Sequence, residues 1–224
     1  MEPDTLLRKV KEQGQRAKGK GKVTGGDMQR AAILTLGLLL TGFAGIQPSY
    51  STSAQAGGEW TTLFDGKTLK GWDVVGDANW EVADGVIQAN KGTGFLVTPV
   101  PYRDFQITAE FWVTDDANSG IFIRCSDPKT ISATNAYEVN IYDKRPDQSY
   151  RTGAIVDVAK PASVIMTGGK WSSFDITARG TKLTVLINGM PMVDVNDSKH
   201  ARGPIALQYG AGTVKFRNVR VRTL

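Results

Sequence analysis

Ten short runs rich in β-branched and aromatic residues follow one another between residues 79 and 221, each closed by Gly, Asp, Asn or Pro. They are NWEVADGVIQA (79–89), GFLVT (94–98), FQITAEFWV (105–113), GIFIRC (120–125), AYEVNIYD (136–143), GAIVDVA (153–159), SFDITARG (173–180), KLTVLING (182–189), PIALQYG (204–210) and TVKFRNVRV (213–221). Asp84-Gly85 and Asn188-Gly189 supply the left-handed pair that a two-residue hairpin turn needs. Past residue 56 no stretch keeps apolar residues at a spacing of three to four. A chain that alternates with period two and turns this often is excluded from helical bundles and parallel α/β sheets. It is expected to form an all-β sandwich or jelly roll. The longest irregular stretches, 143–152 and 160–170, are the natural walls of a site on a rigid β-scaffold.

The first 56 residues are of another kind. Residues 33–46 read ILTLGLLLTGFAGI, with Arg30 before them and Ala54-Gln55-Ala56 after. This run is shorter than the ~20 apolar residues that span a bilayer. A basic flank, a short apolar core and an A-x-A site form a secretory signal peptide. Met28 offers an alternative start, and cleavage near Ala56 leaves a single domain over 57–224 without stable membrane association. An uncleaved N-terminal anchor is the competing arrangement. Of the 27 Lys and Arg and 22 Asp and Glu, residues 1–56 hold eight and four, which leaves 19 against 18. The domain is therefore nearly neutral, and the only basic stripe is KFRNVRVR (215–222). Alternating cations on a last strand ordinarily protect a sheet edge, so no nucleic-acid partner is expected. The lone Cys125 can form no internal disulfide, and its alternation groups it with core residues. His200 lies in the polar stretch DSKHARG and is expected at the surface. One Cys and one His cannot build the common transition-metal sites, and no phosphate-binding glycine loop is present, so no cofactor is expected.

Alternation also sorts the polar residues. Phe105, Ile107, Ala109, Phe111 and Val113 share one face, leaving Gln106, Thr108, Glu110 and Trp112 on the other. Likewise Ile121, Ile123 and Cys125 oppose Phe122 and Arg124. Tyr137, Val139 and Ile141 oppose Glu138, Asn140 and Tyr142, and Leu207 opposes Gln208. Each strand thus has an apolar core face, while its other face mixes carboxylate, guanidinium, amide and aromatic groups. Such a face suits a sugar: rings cover the apolar side of a pyranose, and charged and amide groups fix its hydroxyls. The plainer alternative is an exposed Arg124–Glu138 cross-strand pair worth a few tenths of a kcal/mol.

Seven segments carry a family resemblance in the family's order: FDGKTLKGW (64–72), NWEVADGVI (79–87), NSGIFIR (118–124), YEVNIYD (137–143), the Thr152-Gly153-Ala154 step, GPIALQYG (203–210) and VKFRNVRV (214–221). The chain resembles the 3-keto-disaccharide hydrolase domain family over residues 59–224. The resemblance implies a concanavalin-like jelly roll of two curved antiparallel sheets, as in family-16 glycosidases and lectins. It further implies an exported bacterial protein, periplasmic or secreted, that cleaves glycosides oxidised to a ketone at C3. It marks Asn118, Arg124, Glu138, Asp143, Gln208 and Arg217. The chain departs from the pattern in having Tyr209 where some members place His after the Leu-Gln pair, and Asn140 where Gln is common.

A C3 ketone acidifies the C2 proton. A base can remove it, and the resulting enolate expels the group on C1; water addition completes a net hydrolysis. That route needs a base and a cation beside the developing oxyanion. Glu138 is the expected base and Arg124 the expected cation, brought together on adjacent strands. Glu110 or Asp143 is expected to protonate the leaving oxygen. Asn118, Asn140, Gln208 and Arg217 would hold the sugar, with Trp112 or Tyr142 stacking on it. A direct two-carboxylate glycosidase is disfavoured, because the E-x-D-x-x-E spacing of the related fold is absent. A non-catalytic lectin-like module is the competing class. A structural calcium would suit the fold at Asp115-Asp116 or Asp194–Asp197, although neither has calcium-loop spacing.

Overall fold

The computed structural model describes residues 58–224. The expected leader, the alternative start at Met28 and the expected cleavage site lie outside the described residues. Thirteen strands follow in order: β1 (Thr61–Thr62), β2 (Asp73–Gly76), β3 (Glu81–Ala83), β4 (Val86–Ala89), β5 (Gly94–Val97), β6 (Phe105–Val113), β7 (Asn118–Ile123), β8 (Tyr137–Ile141), β9 (Ser172–Arg179), β10 (Lys182–Ile187), β11 (Met190–Asn196), β12 (Ala206–Ala211) and β13 (Val214–Thr223). A 3-10 turn at Gln148–Tyr150 is the one helical element among the described residues. The strands form two antiparallel sheets, one of eight strands in the order β11-β10-β9-β6-β13-β4-β3 with β1 also on β13, the other of five in the order β2-β5-β12-β7-β8. The protein is an all-β jelly-roll sandwich.

The alternation behaves as the physics of a half-buried strand requires. Every second residue of β6, from Phe105 to Val113, is buried, and β9 and β10 repeat the pattern. Their inward residues meet those of β7, β8 and β12 in one core. There Phe111 and Phe174 stack with centroids 4.8 Å apart, and burying each ring contributes about 2–3 kcal/mol. Asp84-Gly85 and Asn188-Gly189 all have positive φ, and they close the β3–β4 and β10–β11 hairpins as their residue types dictate.

Three departures from simple alternation have local causes. GAIVDVA forms no strand; Ile155 makes only isolated bridges to Val139 and Ala159, and Asp157 turns the chain at φ 59°. Strand β11 contains Pro191, which cannot donate to a ladder, and it lies at a sheet edge where no donor is needed there. In β13 the pairs Arg217–Glu110 and Arg220–Thr108 leave an extra residue between them. Asn218 takes this bulge at φ 52°, and the slip lets Val219 and Val221 return to the core while Lys215, Arg217, Arg220 and Arg222 all stay outside. Strand β13 is no edge. It runs between β6 on one side and β4 and β1 on the other, so edge protection does not account for its cations.

Candidate functional site

A sandwich has two outward faces, and alternation alone does not say to which a residue belongs. Glu110 and Trp112 lie on β6 and Arg217 on β13, so they occupy the outer face of the eight-stranded sheet. Glu138, Asn140 and Gln208 lie on β8 and β12, on the outer face of the other sheet, with the whole core between the two groups. The expected single lining is therefore two. On the eight-stranded side Arg217 Nε donates to Glu110 Oε2 at 2.7 Å, and Asn218 Nδ2 donates to Oε1 at 2.7 Å. Those bonds, Asn218 first, hold the Glu110 carboxyl below its usual range, and Lys215 covers the Trp112 ring. Glu110 can neither donate a proton to nor contact a sugar held on β8 and β12.

The five-stranded face is built differently. Register places Phe95, Gln208, Gly120 and Asn140 in one row across β5, β12, β7 and β8, and Val97, Ala206, Phe122 and Glu138 in the next. Gly120 lets the neighbouring backbone and the Gln208 side chain close in on the first row. A Cβ there would sit 2.9 Å from the Val139 carbonyl and 3.6 Å from Gln208 Oε1. On either side of it, Gln208 Oε1 and Asn140 Oδ1 are buried without a hydrogen-bond donor, although Asn140 Nδ2 donates to the Tyr150 carbonyl at 2.5 Å. Buried acceptors left in this state cost about 1–3 kcal/mol each, and a hydroxyl-bearing ligand would satisfy them. A cavity of about 550 Å³ opens at the Phe95–Gln208 end of the row, lined by Phe95, Asn118, Thr130, Ile131, Gln208 and Gly210 among others, with Asn140 and Glu138 beyond its wall. Its size suits a sugar ligand.

Glu138 is 9% exposed. The segment after β7 folds back over the second row, where Cys125, Ile131 and Ala136 pack on Phe122, Val97 and Ala206. Residues 153–156 run along the free edge of β8, with Val156 N donating to the Glu138 carbonyl and Asn140 N to that of Ala154. The enclosure pushes the Glu138 carboxyl up to about 7, chiefly by desolvation; Arg145 opposes the shift and Asp157 adds to it. A carboxylate in that range is matched to proton abstraction at neutral pH.

Arg124 does not join it. Beyond the end of β7 the residue turns to φ 55°, which breaks the strand parity and swings the side chain off the Phe122 face. Its Nε and Nη2 donate to the Arg103 carbonyl at 2.9 and 2.6 Å, Nη1 to the carbonyls of Gly180 and His200 at 2.8 and 3.2 Å, and Nη2 to Asp104 Oδ1 at 3.2 Å. The guanidinium is 1% exposed and fully occupied in tying three loops together. The same flip moves Cys125 from the main core to the cluster around Phe122; it is a buried thiol, pushed up to about 12 by burial. His200 is buried rather than exposed. Its ring packs edge-on to Tyr137 at 4.8 Å, its backbone N–H donates to the Tyr137 hydroxyl, and burial lowers its pKa.

Asp143 is structural as well. Its carboxylate accepts from Thr152 Oγ1 (2.6 Å), Thr167 N (2.6 Å), Thr167 Oγ1 (3.1 Å) and Gly168 N (3.0 Å). It sews the two longest irregular stretches to each other and has no lone pair to spare for a leaving group. Tyr142 is half-buried just beyond β8, its backbone N–H bonded to Thr152 Oγ1. Of the Asp-rich stretches, Asp115 pairs with Lys144, Asp194 with Lys182, and Asp197 accepts from Tyr137 Oη. Arg145, whose charge opposes the upward shift of Glu138, lies in a loop where alternation carries no information. Gly120 had a signal: a glycine inside a strand marks a close approach or a gap left on purpose.

Residues 59–222 match the family model described as the 3-keto-alpha-glucoside-1,2-lyase-like domain. No curated protein matches the sequence significantly. Among solved structures the fold is similar to two glycosyl hydrolases, described as putative, from Parabacteroides distasonis. One has TM-score 0.67 and 21% identity, covering 74% of this chain and 94% of that one; the other has 0.64 and 24%, covering 74% and 100%. It is also similar to the carbohydrate-binding module CBM66 from Bacillus subtilis, with TM-score 0.56 and 18% identity over 68% of this chain and 96% of that one. At these identities the likeness is one of fold.

Proposed function

We propose a function from a fixed premise: the chain belongs to the 3-keto-alpha-glucoside-1,2-lyase-like domain family. It is a carbohydrate-active enzyme whose substrate carries a ketone at C3 of the sugar, and its site is the outer face of the five-stranded sheet. The observation that carries this reading is Glu138, a buried carboxyl pushed up to about 7, set one row from two unpartnered amide oxygens on either side of Gly120. Deprotonated Glu138 removes the C2 proton. The electron pair of that C–H bond moves into the C2–C3 bond as the ketone becomes an enolate, and Arg145 rather than Arg124 supplies the positive charge beside it. Collapse of the enolate restores the ketone, forms the C1–C2 double bond and breaks the C1–O bond. With Asp143 and Glu110 committed elsewhere, the leaving oxygen takes the proton that Glu138 has just gained. Addition of water across C1–C2 turns the elimination into a net hydrolysis. Gln208, Asn140 and Asn118 hold hydroxyls, and Phe95 lies against the sugar ring. Export to a bacterial periplasm or the medium belongs to the same proposal, resting on the signal-peptide pattern of residues 30–56 in the sequence.

A binding module without catalysis would use the same two amides, and it is the second reading those orphaned acceptors favour. Incubation with a 3-keto-glucoside and with the parent glucoside separates the two. Consumption of the keto sugar alone, abolished by Glu138→Gln with binding retained, is the expected result. Equal affinity for both sugars without turnover, or full activity of Glu138→Gln, would overturn the enzymatic assignment.

A further inference from the structure

The cations of β13 serve neither a sheet edge nor the site just described. Lys215, Arg217, Arg220 and Arg222 project from the middle of the eight-stranded sheet over eight residues of chain, roughly 23 Å at strand rise. Of the four, only Arg217 pairs with a carboxylate among the described residues. The other acids of that face are engaged elsewhere: Asp175 accepts from Gln106, Glu81 from Gln88, and Asp194 pairs with Lys182. Arg220 and Arg222 are instead placed together. Both guanidinium groups lie over the Trp60 ring, at 4.7 and 4.9 Å from its centroid, and each spends its Nε on a neutral acceptor, Thr108 Oγ1 at 3.0 Å and Gln106 Oε1 at 2.8 Å.

Two like charges share one indole, and neither forms an ion pair with a carboxylate among the described residues, so a bound anion relieves their repulsion. With each Nε spent on a neutral acceptor, both Nη groups of each arginine stay available, and a guanidinium receives a carboxylate or sulfate in bidentate fashion. Beside this pair lies a cavity of about 590 Å³ to which Arg220, Glu110, Asp175, Asn218, Ser173 and Thr108 contribute. Its lining carries donors and acceptors of both kinds. The carboxylates of Glu110 and Asp175 in its wall find no donor on a polyphosphate but accept hydrogen bonds from the hydroxyls of an acidic polysaccharide.

We propose that Trp60, Arg220 and Arg222 form an anion clamp which, with the adjoining cavity, binds an acidic polysaccharide on the outer face of the eight-stranded sheet, separately from the site on the other sheet. This surface holds the protein on a polymer and contributes nothing to bond cleavage, so it stands or falls independently of the role given to Glu138.

The test is affinity electrophoresis and titration of the protein with polygalacturonate, with dextran as the neutral probe and poly-U and anionic phospholipid vesicles as rival anions. Polygalacturonate is expected to retard the protein in a salt-sensitive manner while dextran does not. The Arg220→Gln/Arg222→Gln variant should bind it at least about tenfold more weakly, with an unchanged melting temperature and unchanged turnover of a 3-keto-glucoside. Trp60→Ala keeps every charge but frees both guanidinium groups, and it should weaken binding severalfold. Wild-type affinity in the double arginine variant, or no effect of Trp60→Ala, would overturn the clamp. Poly-U or vesicles binding through these arginines as tightly as polygalacturonate would overturn the polysaccharide assignment.

Discussion

The outer faces of the two sheets are made from the same residue types and end in opposite states. On the eight-stranded face Glu110 has two donors, Arg217 a carboxylate and an indole, and Asp175 an amide; its polar groups lie in half-exposed positions where water can serve them as well. On the five-stranded face Glu138 is nearly enclosed, and the oxygens of Asn140 and Gln208 lack donors. A carboxylate satisfied by neighbours is a poor base, because the bonds that stabilise its anion also lower its pKa. One enclosed without such bonds is a good base, at the expense of the fold around it. Under the proposed mechanism, reactivity follows from what a residue lacks.

The largest expected effect breaks the contrast outright. Glu138→Gln should lower turnover of a 3-keto-glucoside by about 10²–10⁴-fold while leaving its affinity nearly intact, measured by steady-state kinetics and calorimetry. Next comes Arg124→Met. It leaves the carbonyls of Arg103, Gly180 and His200 and the Asp104 carboxylate without their shared donor, and should cost about 3–5 kcal/mol in urea unfolding, with normal kcat in whatever remains folded. Gly120→Ala drives a methyl group against the Val139 carbonyl and toward the Gln208 side chain. It should cost about 1–3 kcal/mol and raise KM more than it lowers kcat.

The pH dependence sharpens the comparison further. The Glu138 carboxyl sits at about 7 in the folded protein against an ordinary value of 4.5. Between those values the folded state keeps a proton that the unfolded state has released, so stability falls as pH rises through that window and levels off above it. Turnover needs the deprotonated base and therefore rises across pH 7. Activity and stability should run in opposite directions, and Glu138→Gln should flatten the stability profile and raise the melting temperature at pH 8. The smallest effect belongs to the satisfied face: Glu110→Gln breaks a half-exposed pair and should cost under about 1 kcal/mol with unaltered kinetics.

Much of this was legible in the sequence. Period-two alternation gave the sandwich and its core, Asp84-Gly85 and Asn188-Gly189 gave two hairpins, and the parity of β8 and β12 put Glu138, Asn140 and Gln208 on one outward face. What stayed hidden has two physical sources. Parity separates inside from outside but does not tell one sheet from the other, which is how Glu110, Trp112 and Arg217 came to be grouped with Glu138. Parity also assumes an unbroken strand. A single left-handed residue at Arg124 turned the expected oxyanion partner into a loop tie and moved Cys125 to another cluster. Arg145 and Asp157 reach Glu138 from loops, where no period exists to place them.

The four bonds to Asp143 make the stretches 143–152 and 160–170 one mechanical body. Loop exchange in this scaffold is therefore a paired operation. A new sequence grafted between β8 and Thr152 without a carboxylate at 143 would leave the hydroxyls of Thr152 and Thr167 and the amides at 167 and 168 without their acceptor, and selectivity engineered into either wall travels with the other.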